Sequence, residues 1–166
     1  ADLVVANLEG PVTSHPSMSL GSVIGSPENF TFTFPTSTAA VLKRNNISLV
    51  SLGNNHIKNF GTDGVVQTKV WLARAGIRHF GDPLVGESNR VARMDVGGIP
   101  FSFVSWSDWT PVGKPSASNG ASWLNSTVEQ VAKEKAAGRR PIVMAHWGEE
   151  YVEPTENMQS LARQFV

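Results

Sequence analysis

Short apolar runs separated by stretches of helical spacing leave this chain few folds. DLVVANL at residues 2–8, ISLVSL at 47–52 and PIVMAH at 141–146 have the length of buried strands and fall well short of a helix's usual span. Between and after them, apolar residues recur at the three- and four-residue intervals of amphipathic helices. Strand, helix, strand, helix is the order of an α/β fold, a parallel sheet with helices on its faces.

Element by element, Leu3 to Leu8 reads as a strand stopped by Glu9-Gly10-Pro11. Residues 12–34 read as an irregular excursion in which FTFTF, Phe30 to Phe34, alternates as a half-buried strand does. A helix starts at Thr36 or Ser37 and closes at Asn45-Asn46, and the strand Ile47 to Leu52 follows. Thr62-Asp63-Gly64 opens a second helix that Gly76 ends, before a short strand from Ile77 to Phe80. Asn89–Val96 and Ile99–Trp106 form a hairpin about Gly97-Gly98. Residues 107–122 read as loop, Ser126 to Ala137 as a helix, Pro141 to His146 as a strand, and a last helix begins near Thr155.

Three of the strands end in polar groups: Asn7 and Glu9, then Asn54, Asn55 and His56, then His146 with Glu149. In open α/β sheets, ligands gather beyond the carboxyl ends of the strands, so residues far apart in the chain are expected to meet in one pocket. The 14 basic and 14 acidic residues cancel, which removes any overall field toward nucleic acid or an anionic membrane. The chain has no cysteine, so disulfides, thiolate nucleophiles and sulfur-ligated zinc are excluded, and a metal would sit on oxygen and nitrogen. Carboxylate, amide oxygen and imidazole suit manganese, iron, magnesium or zinc, and two such ions sharing Glu9 as a bridge would make a hydrolytic centre. Such an ion lowers the pKa of a bound water from about 15.7 to about 7, worth about 12 kcal/mol. Taken singly, Glu9 reads as a surface turn carboxylate, the asparagines as turn formers and each histidine as a structural one. Joint placement at strand exits is what favours the functional reading. Trp106, Trp109, Trp123 and Trp147 read mainly as packing residues, and His15 and His79 have no role. The chain carries no G-x-S-x-G elbow, no G-x-x-x-x-G-K-[ST] loop and no G-x-G-x-x-G turn after a strand. Its longest apolar runs, such as Ile99 to Trp106, fall short of the roughly 18 residues of a membrane helix.

DLVVANLEGP at 2–11, SLVSLGNNHIKNFGTDGVVQT at 48–68, LARAGIRHFGDP at 72–83 and PIVMAHWGEEYVEPT at 141–155 resemble, in this order, the bacterial capsule-synthesis CapA family. That family is also called the poly-γ-glutamate biosynthesis or PGA_cap family, of the calcineurin-like metallophosphoesterase superfamily. The resemblance implies a metallophosphoesterase-like α/β/β/α sandwich, here one truncated domain over residues 1–166, with a site for two divalent metal ions at the strand ends. By motif, Glu9 takes the bridging position, Asn55 and His146 are metal ligands and His56 is the catalytic histidine. Asn7 and Asn54 stand behind them, and Trp147 and Glu149 lie beside the ligands or the substrate. The superfamily's first strand and last histidine motif would fall before Ala1 and after Val166. The chain is therefore expected to be a piece lacking the first and last core elements, holding metal weakly or not at all by itself. The implied setting is capsule or poly-γ-glutamate synthesis at the cell envelope, extracytoplasmic or membrane-anchored. The expected substrate is an anionic polymer or phosphoester, and other capsule-synthesis proteins are the expected partners. The residues leave three readings open: a metal-dependent hydrolase, a non-catalytic assembly or polymer-binding component, and a plain structural α/β domain.

Overall fold

The computed structural model describes residues 1–86, 91–108, 120–148 and 153–166, with backbone alone at 120–123. The elements run β1 (Val4–Asn7), α1 (Thr38–Arg44), β2 (Ile47–Ser51), α2 (Gly61–Arg74), β3 (Arg78–Phe80), β4 (Val91–Val96), β5 (Ile99–Ser107), α3 (Gly120–Ala136), β6 (Arg140–His146) and α4 (Glu156–Gln164). The strands form two three-stranded sheets rather than one. The first is parallel in the order β1-β2-β3, and the second, in the order β4-β5-β6, joins an antiparallel hairpin to a parallel strand.

The two sheets face each other because strand pleating gives each strand two apolar sides. On β2, Val50 packs with Leu52, Val65, Leu72 and Ile77 on the helix side, whereas Leu49 packs with Phe80, Ala92 and Phe103 between the sheets. The stripe Gly64, Val65, Thr68 and Leu72 is the buried face of α2, spaced at one helical turn. On β5, Phe101 and Phe103 point between the sheets. Arg93, paired with Ser102 on the opposite face, reaches Glu134 of α3. The layers are therefore helix, sheet, sheet, helix, a mixed α/β sandwich.

Three expectations change. The FTFTF segment is not a strand: Pro27–Phe30 is a turn of 3₁₀ helix, and Phe34 makes a single bridge to Val12. Its alternation reflects ring packing, since Phe32 lies edge-on to Phe34 and against His56. Helix α3 begins at Gly120, ahead of the expected Ser126. The alternating order also suggested a single sheet, and the inserted hairpin instead starts a second one. Asn45-Asn46 does close α1, with Asn46 at φ 60, and Gly97-Gly98 turns the hairpin. Asn89, the expected first residue of that hairpin, lies outside the described residues.

Candidate functional site

Because β1 and β2 are parallel, with Asn7 opposite Ser51, their exits lie side by side. The chain leaves β1 through a tight turn. Leu8 is buried and donates its N–H to Ser51 O at 3.0 Å, and Gly10 N–H turns back to Leu8 O at 2.9 Å. Gly10 sits at φ 147, and a Cβ there would meet Phe32 Cε2 at 3.0 Å, so this corner accepts only glycine. Glu9 is thereby held at the apex with its carboxylate partly exposed.

Asn54 ties the second exit to the first. Its Nδ2 donates to Asn7 Oδ1 at 3.0 Å and Leu8 O at 2.9 Å, and its Oδ1 accepts from His56 N at 3.2 Å and Ile57 N at 2.9 Å. An amide has two N–H groups and two lone pairs, so all four capacities are used. Asn54 positions its neighbours, and no lone pair remains for a ligand. Asn7 Nδ2 donates in turn to Glu9 Oε2 at 3.2 Å.

The third exit comes from the other sheet. His146 Nε2 lies 2.9 Å from Asn55 Oδ1 and 3.7 Å from Glu9 Oε1. Three side chains separated by up to 137 residues of sequence, from β1, β2 and β6, thus converge. Ligands about 2.1 Å from one ion stand about 3.0–3.4 Å apart at adjacent corners of an octahedron or tetrahedron, near the 2.9 Å separation and shorter than the 3.7 Å one, which would have to close on binding. Imidazole nitrogen, carboxylate oxygen and amide oxygen also make a suitable donor set. Among the described residues, no group of three His, Asp or Glu side chains is placed to hold an ion, so the amide of Asn55 is needed to complete this one.

His56 stands beside the cluster. Its half-buried ring lies 4.6 Å from the Phe32 ring, tilted by 34°. Among the described residues, no hydrogen bond or ion pair links that ring to Glu9, Asn55 or His146. Trp147 is edge-on to Trp106 at 5.1 Å and tilted against Phe165 at 6.4 Å, contacts of a packing residue. Glu149 and Trp109 lie outside the described residues.

Several residues that shape the site escape sequence reading. A Cβ on Gly53 would fall 1.8 Å from Ser105 Oγ, and one on Gly81 2.7 Å from the same atom. The two sheets therefore approach each other closely at these strand exits. Asp108, just past β5, accepts Gly148 N–H at 3.0 Å and fixes the chain after His146. Its other carboxylate oxygen is buried with no partner among the described residues. The signal for Asp108 was present, a carboxylate at a strand exit, but the expected strand stopped two residues short. Asp82, at the exit of β3, is buried and paired with Lys69. Burial holds the nearby His79 imidazole below its ordinary pKa despite the Asp82 charge.

The family model described as "Bacterial capsule synthesis protein PGA_cap" matches residues 1–166. The chain is 22% identical over 170 residues to "PGA biosynthesis protein CapA" of Bacillus subtilis (strain 168), covering 98% of this chain and 43% of that protein. It is 21% identical over 179 residues to "Capsule biosynthesis protein CapA" of Bacillus anthracis, covering 100% of this chain and 42% of that protein. The chain spans less than half the length of these curated relatives.

Proposed function

This chain belongs to the bacterial capsule synthesis family PGA_cap, and from that membership we propose that the exits of β1, β2 and β6 form a divalent-cation site for hydrolysing a phosphoester or amide bond. The substrate is an anionic molecule of capsule or poly-γ-glutamate synthesis, and the place of action is the cell envelope. One observation carries the reading: His146 Nε2 lies 2.9 Å from Asn55 Oδ1 and 3.7 Å from Glu9 Oε1, three donors of different kinds from three strands. Glu9, Asn55 and His146 are the ligands, for manganese, iron, magnesium or zinc. A bound divalent cation supplies Lewis acidity to an oxygen of the substrate or of water. The chain's own residues do the rest. Glu9 contributes negative charge against the cation, and Asn54 fixes the spacing between the Glu9 and Asn55 turns. His56, whose ring nitrogens have no hydrogen bond among the described residues, holds a proton for the leaving oxygen.

A full-length protein with His56→Ala tests the role. It is expected to keep the wild-type metal content and lose about 10²- to 10⁴-fold in turnover of an alkyl phosphodiester, whose basic leaving oxygen needs a proton to depart. Unchanged turnover would reject His56 as the acid.

One observation favours a non-catalytic assembly role. Leu20, Val23 and Ile24 project from the 14–30 excursion at 90%, 77% and 92% exposure, apolar surface of a kind that partner proteins cover. Among the described residues, no helix is long and apolar enough to cross a membrane. Full-length protein without bound metal or turnover would make the assembly role the better reading.

A further inference from the structure

We propose that a second cleft, at the opposite ends of the strands from Glu9, Asn55 and His146, binds a small anion carrying two or more carboxylate or phosphate groups. The cleft has a volume of about 300 Å³ and is lined by Arg78, Arg93 and Arg139, with Met94 and Phe101 as an apolar wall and Asp95 as its lining carboxylate. Arg78 opens β3, Arg139 immediately precedes β6, and Phe101 stands in register with Arg140 at the start of β6. Strands β3, β5 and β6 enter the sheets here, whereas the cation-site candidates sit where β1, β2 and β6 leave.

Charge at this place is unbalanced, although the chain as a whole is neutral. Arg93 satisfies Glu134, donating to its carboxylate from both Nε and Nη2. Burial pushes the Glu134 carboxyl up, but the Arg93 hydrogen bonds and charge, with Gln130 and Arg139, outweigh it and hold the group below its ordinary range. That carboxylate is only 1% exposed, so its charge is spent inside the fold. Arg139 stands 3.9 Å from it, at the limit of an ion pair. Arg78 donates Nη2–H to Arg93 O at 3.0 Å and has no carboxylate within ion-pair reach among the described residues. Among the described residues, two guanidinium groups are thus left with most of their donors free, beside a third locked in place by α3. A guanidinium stays charged across the working pH range and presents paired N–H groups that match carboxylate or phosphate oxygens. Because the arginines come from three separate segments of the chain, a ligand with two or more anionic groups would engage more than one of them.

Metal-free protein at low ionic strength is titrated calorimetrically with tricarballylate and with pyrophosphate, one probe for each anion class. Arg78→Gln and Arg139→Gln are each expected to weaken binding of the preferred probe about tenfold. Arg78→Lys, which keeps the charge and loses the fork, should fall between wild type and Arg78→Gln. Phenylglyoxal labelling should show Arg78 and Arg139 protected by the probe and Arg44 unprotected. Thermal melts verify that the variants are folded. The tighter probe assigns the anion class. Absence of binding by either probe, wild-type affinity in both Gln variants, or equal loss in Glu9→Gln would overturn the proposal. The strand-exit cation reading does not depend on the result.

Discussion

Replacing Asn54 by alanine tests how the exits of β1 and β2 are held together. The substitution removes four hydrogen bonds of 2.9 to 3.2 Å to Asn7, Leu8, His56 and Ile57. At a net contribution of about 1 kcal/mol each, the direct loss is about 4 kcal/mol. Leu8 O keeps the Gly10 N–H, but the N–H of buried Ile57 is left without a partner, which costs more unless water enters the space of the lost amide. The expected destabilisation is about 3–5 kcal/mol, a large part of the roughly 5–15 kcal/mol of a typical domain. Urea unfolding followed by circular dichroism measures it as a lower midpoint at unchanged slope. Asn55→Ala is the internal control. Its side chain is half-buried and bonded to His146 alone among the described residues, so it should cost about 1 kcal/mol. A loss below about 1 kcal/mol for Asn54→Ala, or equal losses for the two variants, would refute the assignment of Asn54 as the residue that fixes the turns.

Two further predictions concern the junction of the sheets and the buried ion pair. Gly53→Ala places a Cβ 1.8 Å from Ser105 Oγ and should cost about 1–3 kcal/mol, with most of the loss recovered in Gly53→Ala/Ser105→Gly, as read from thermal melts of the three proteins. Glu134→Gln leaves Arg93 without its carboxylate and should cost about 3 kcal/mol in urea unfolding at pH 7. The Glu134 carboxyl lies below its ordinary pKa of 4.5 in the fold, so its contribution is present above that pH and fades as pH falls. The gap between wild type and Glu134→Gln should therefore narrow between pH 6 and pH 3, and a constant gap would contradict the pairing.

Much of the site was legible because it is built at places that sequence marks well. The runs that became β1, β2 and β6 are short, apolar and stopped by polar residues, so their exits, and the residues on them, could be named from the text. The nearness of Glu9 and Asn55 follows once the parallel strands β1 and β2 are laid side by side, whereas His146 joins them only because the second sheet packs on the first. The FTFTF segment misled because alternation of Phe and Thr is also produced by rings that pack on a turn and on His56. The closeness of Gly53, Gly81 and Ser105 left no trace in the text. A close approach between sheets is a relation of three dimensions, and glycine at a strand exit reads equally well as an ordinary turn. The arginine cleft was invisible for a similar reason: Arg78 and Arg93 lie on strands of different sheets and Arg139 just before a third strand, and only the stacking of the sheets brings them to one place.

The central claim is that three strand exits form one cation site, and metal content per molecule tests it most directly. Elemental analysis of full-length wild type, Glu9→Gln, Asn55→Ala and His146→Ala, each purified after equilibration with manganese, is predicted to find stoichiometric metal in the wild type and marked loss in all three variants. Wild-type protein without metal, or variants that retain it in full, would contradict the account.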